Sequence, residues 1–67
     1  LTLQDQISLN QPKGIKQIYS NLLKKYNDAH QVEHIMMEHI AEMIFNSQKY
    51  NKPMDLEYYL RSLKELN

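Results

Sequence analysis

Sixty-seven residues without a cysteine make at most one small domain, and they exclude disulfides and thiolate metal sites. Eight Lys and Arg balance eight Asp and Glu, so the chain lacks the positive excess that nucleic-acid binders carry. No run approaches the ~20 apolar residues of a membrane span and no signal peptide is visible, so a cytoplasmic location is expected, with neither nucleic acid nor membrane as a partner.

Leu1 to about Asn10 reads as a short or partial helix. Leu3 and Ile7 share a face at i, i+4, but Leu9 falls elsewhere. Gln11-Pro12-Lys13-Gly14 breaks it, with proline disfavouring helix at the residue before it and glycine placed for a turn. From Gly14 to Tyr26 the pattern is clean. Ile15, Ile18, Tyr19, Leu22, Leu23 and Tyr26 form one apolar stripe, and Lys16, Gln17, Ser20 and Lys24 take the other side.

Asn27-Asp28 closes that helix and starts the next. Asp28 is a good N-cap, and Gln31 three positions on completes a capping box. The third helix then runs to about Tyr50, the longest element by far. After the turn Asn51-Lys52-Pro53-Met54, Asp55 caps a last helix striped by Leu56, Tyr59, Leu60, Leu63 and Leu66. Tyr58 leaves that stripe and is expected at the surface. The predicted fold is all-α: a single domain over residues 1–67, a small antiparallel helical bundle of three full helices plus a partial N-terminal one.

All three histidines lie on the third helix. At ~100° per residue its apolar arc holds Met36, Met37, Ile40, Met43 and Ile44, with Glu33 in the middle, His30 and His34 on one flank, and His39 on the nearly opposite, solvated side. A carboxylate in an apolar arc must be paired, protonated or metal-bound, because burying it unpaired costs several kcal/mol. His30 and His34 at i, i+4 can aim two imidazoles at one point, and Glu38 continues the ridge as His-x3-His-x3-Glu.

This makes His30, His34, Glu38 and Glu33 candidate ligands of a divalent transition metal such as zinc, iron or manganese. Glu33 would serve as ligand or nearby base. His30-Gln31-Val32-Glu33-His34 also fits the H-x-x-E-H pattern of inverted zincins, but those peptidases need a larger fold and a further carboxylate far downstream. No catalytic residue is assigned. Without a metal, His30 and His34 are polar residues at a helix margin, Glu33 pairs with Lys24 or Lys25, Glu38 and Glu42 are solvated, and the four methionines fill core gaps.

The run from His30 to Gln48, containing EHIMMEHIAEMIFNSQ, is followed by Pro53-x-Asp55-x-x-x-Tyr59-Leu60 and preceded by Gln6 and Pro12-x-Gly14-Ile15. In these blocks the chain resembles the C-terminal part of an uncharacterised bacterial family found mainly in proteobacteria, domain of unknown function family 1841. The resemblance implies a longer protein, with an upstream region ending in a histidine-bearing helix; the start at Leu1 rather than Met agrees with a fragment. It also implies Cys or a small residue where His39 stands and Trp where Phe45 stands, and it brings no activity.

Ferritin-like and hemerythrin-like bundles are similar in architecture only, holding metals with His and Glu from several helices. Asp5 and Gln6 are the nearest complements on the first helix here. Two functional readings follow. One is a helical domain with a metal site on its longest helix. The other is a structural or protein-interaction module whose thin core is completed by the missing N-terminal segment or by self-association as a homo-oligomer. An apolar patch left uncovered on the third or fourth helix favours the second; a convergent cluster of His30, His34 and a carboxylate favours the first.

Overall fold

The computed structural model describes residues 2–66; Leu1, where the first predicted helix begins, lies outside the described residues. Four helices follow in order, α1 (Leu3–Leu9), α2 (Ile15–Tyr26), α3 (Ala29–Tyr50) and α4 (Leu56–Lys64), and no strand occurs among the described residues. The all-α bundle expected from the sequence is what forms. Its last helix stops short of Leu66.

Local chemistry accounts for nearly every helix end. Thr2 caps α1: its hydroxyl accepts from the Asp5 N–H at 3.1 Å while the Asp5 carboxylate accepts from the Thr2 N–H, a reciprocal capping box. Asp28 caps α3 by accepting from the His30 and Gln31 N–H groups, and Asp55 caps α4 by accepting from the Tyr58 N–H. Three helices end on an asparagine in the left-handed region, Asn10, Asn27 and Asn51, each with φ near 53°. Asparagine tolerates that conformation better than most side chains, which is why it can stand where glycine is usual.

The α1–α2 connection is tight. Its Gln11–Pro12 peptide is cis, and Gly14 adopts φ 102°, a conformation L side chains rarely take. Gly14 has no side chain to cap α2, and Asn10 substitutes. Its Oδ1 accepts from the N–H groups of Gly14 and Lys16 at 3.2 and 3.1 Å.

The core is one cluster: Ile15, Ile18 and Leu22 of α2, Val32, Met36 and Met43 of α3, and Tyr59 and Leu63 of α4, with Leu3, Tyr19, Leu23, Tyr26, Ile40, Leu60 and Leu66 half-buried around it. The α2 stripe matches its prediction residue for residue. On α4, Leu56 is exposed instead of buried. Helix α1 contributes one unexpected core member, Gln6. It is 7% exposed, and its side-chain oxygen accepts a 3.1 Å hydrogen bond from the hydroxyl of Tyr59, itself 1% exposed. Burial pushes the Tyr59 phenol up to about 12. Among the described residues no helix is long and apolar enough to cross a membrane.

Candidate functional site: an uncovered face of α3

Helix α3 is the longest element and packs against all three others. Its buried stripe is Val32, Met36 and Met43, with Ile35, His39, Ile40, Asn46 and Ser47 half-buried beside it. That is a spacing of four, three and four from Val32 through Met36 and His39 to Met43. It is rotated from the arc predicted out of Met36, Met37, Ile40, Met43 and Ile44. The physical reason is that α3 carries more apolar surface than its neighbours cover. A helical wheel merges the covered and uncovered parts into one arc and places the centre between them.

The rotation corrects every histidine. His30 and His34 are exposed rather than bordering the core, and His39, expected on the solvated side, is half-buried on the packed stripe. A carbonyl oxygen only accepts, so the His39 Nδ1–H donates to the Ile35 carbonyl one turn earlier, at 2.9 Å. Glu33 is half-buried at the edge of the packed face instead of in its middle. It accepts from the Gln4 side chain at 3.5 Å rather than pairing with Lys24 or Lys25. Lys25 donates instead to the Leu66 carbonyl.

Of the four candidate ligands, the structure brings two together. His34 Nε2 and Glu38 Oε1 approach to 3.0 Å at i, i+4 on the open side of the helix, both largely exposed. Among the described residues no three His, Asp or Glu side chains gather closely enough to hold a metal ion.

What the uncovered side of α3 does carry is apolar bulk. Met37, Ile44 and Phe45 are 58%, 41% and 60% exposed, and Ala41 lies between them. Beside them runs a groove of two adjoining hollows. One, of about 500 Å³, is walled by Leu3, Gln4 and Glu33 with Met37, Ile40 and Ile44. The other, of about 470 Å³, passes Pro12 and Ile44 to Met54 and Leu56, which are exposed as well. The groove is floored by Ile40, shared by both hollows, and each has room for several side chains.

A family model described as Domain of unknown function (DUF1841) matches residues 1–65. No curated protein and no solved structure matches the chain.

Proposed function

The chain belongs to the DUF1841 family, a domain of unknown function, and from that premise we propose that it is a non-catalytic protein-interaction domain that docks through the uncovered face of α3. The observation that carries this is the patch of Met37, Ile44 and Phe45, continued by Met54 and Leu56 along the groove. Scattered exposed apolar residues are ordinary, but a contiguous row beside an apolar groove is where soluble domains meet partners. Among the described residues as many large hydrophobics are exposed as form the buried core, eight of each. In a domain this small such surface is stabilised most readily by a second surface against it.

The test is a photoreactive phenylalanine analogue in place of Phe45, which is exposed and outside the buried core. Irradiation in the producing cell yields a discrete protein adduct that disappears when Ile44→Asp is added. Absence of any adduct, or one indifferent to Ile44→Asp, overturns the reading.

A second reading keeps a divalent transition metal, zinc, iron or manganese, on the open side of α3. It is supported by the 3.0 Å approach of His34 and Glu38, with His30 one turn earlier and Glu33 the remaining candidate. Two helical donors one turn apart make a low-affinity pair, so tight binding needs ligands from another chain. Thermal unfolding with and without zinc tests it. The midpoint rises for the wild type and for His39→Ala but not for His34→Ala, and an unmoved wild type overturns it.

A further inference from the structure

We propose that the partner docked on this face is a second copy of the same chain, its α3 lying antiparallel to the first about a two-fold axis near Ala41. The proposal rests on the docking-face reading above and adds the identity of the occupant.

Glu33, Met37, Ala41, Phe45 and Lys49 stand four apart along α3 and form a single i+4 ridge. Read from Glu33 to Lys49 it runs acid, apolar, small, apolar, base; read backwards it runs base, apolar, small, apolar, acid. A two-fold contact places each residue against the one equally far on the other side of the axis. Glu33 then meets Lys49 of the copy, Met37 meets Phe45 with Ile44 one residue away, and Ala41 meets itself. The smallest side chain sits where the two backbones approach most closely. The ridge spans about 24 Å at ~1.5 Å per residue, so the paired charges flank an apolar centre.

The charge pattern selects the antiparallel direction. No Lys or Arg occurs between Tyr26 and Lys49, while Asp28, Glu33, Glu38 and Glu42 all do; Lys49 and Lys52 follow at the basic end. A parallel copy would stack acid on acid, whereas an antiparallel one lays each basic end along the other's acidic stretch. These charges are not matched at home. Among the described residues no Lys or Arg lies within 4.0 Å of a carboxylate. Glu33 has the long bond from Gln4, Glu38 faces His34, and the Lys49 ammonium rests over the rings of Phe45 and Tyr50 at 5.9 and 5.4 Å.

The chain has no cysteine, so a single introduced thiol reports on the contact. Ala41→Cys is expected to oxidise to a covalent dimer, while Gln17→Cys, exposed on α2, stays monomeric under the same conditions. Charge reversal supplies a second arm. Glu33→Lys and Lys49→Glu should each weaken dimerisation at least tenfold, and the double variant should recover most of the loss.

Sedimentation showing a monomer at several hundred micromolar, an Ala41→Cys protein that behaves like Gln17→Cys, or a double variant no better than the singles overturns the proposal. The Phe45 photo-crosslink separates its failure from that of the reading beneath it. An adduct only to a different protein, lost with Ile44→Asp, removes the second copy and leaves the docking face standing. No adduct removes both.

Discussion

Replacing Tyr59 by phenylalanine removes one oxygen from a buried side-chain hydrogen bond. The Tyr59 hydroxyl donates to Gln6 Oε1 at 3.1 Å, linking the first helix to the last. Tyr59 is 1% and Gln6 7% exposed, so the Gln6 oxygen loses its protein donor with little water to replace it when the hydroxyl goes. Leaving a buried acceptor unsatisfied costs ~1–3 kcal/mol, more than the ~1 kcal/mol net value of an average hydrogen bond. In a domain of this size each 1 kcal/mol lowers the unfolding midpoint by about 4–8 °C.

Thermal unfolding of Tyr59→Phe at neutral pH should therefore show a drop within that scale. The double variant Tyr59→Phe with Gln6→Met should regain most of it, because an apolar pair of similar shape leaves nothing unsatisfied. The pH dependence carries the sign. Tyr59 releases its proton near 10 when unfolded and near 12 when folded. Its contribution is thus fully present below pH ~10 and is lost as pH rises through about 12. The stability gap between wild type and Tyr59→Phe should be constant up to pH ~10 and then close. A single variant as stable as wild type, or a double variant that recovers nothing, would refute the reasoning.

Neighbouring methionines should behave oppositely: Met36→Ala, fully buried, is expected to cost ~2–5 kcal/mol in chemical denaturation, whereas Met37→Ala, exposed, should stay within ~0.5 kcal/mol at concentrations where the chain is monomeric. Asp28→Ala removes the acceptor of two α3 amides and should lower stability by ~1 kcal/mol in the same assay, while Asp28→Asn should recover most of that. Gly14→Ala meets no neighbouring atom yet must hold φ 102°, so a loss of ~1–2 kcal/mol on urea unfolding measures backbone strain alone.

The helices were legible because their signals are local. The stripe of α2, the caps Asp28 and Asp55, and the turn at Pro12–Gly14 each depend on a few adjacent residues. The rotation of α3 was not legible in the same way. Its sequence offers Met36 and Met43 alongside Met37, Ile44 and Phe45, and nothing local says which set the neighbouring helices reach. That choice also moved the candidate site. Once Val32 and His39 join the packed stripe, His30, His34 and Glu38 must face outward, and the ligand geometry expected at the core margin does not assemble.

The Gln6–Tyr59 bond joins positions far apart in sequence and shows no pattern in either helix alone. The uncovered patch was open in the sequence: a thin core left room for one on the third or fourth helix, and the packing decided which residues form it.

Sedimentation equilibrium of the wild type and of Ile44→Asp tests the pairing of two copies across the docking face most directly. The wild type is expected at a mass near twice 8.1 kDa at high micromolar concentration. Ile44→Asp should be monomeric, with an unfolding midpoint, measured on dilute protein, within about 4 °C of wild type, the scale of a ~0.5 kcal/mol surface change. A wild type that remains monomeric, or an Ile44→Asp protein that still dimerises, would contradict that pairing.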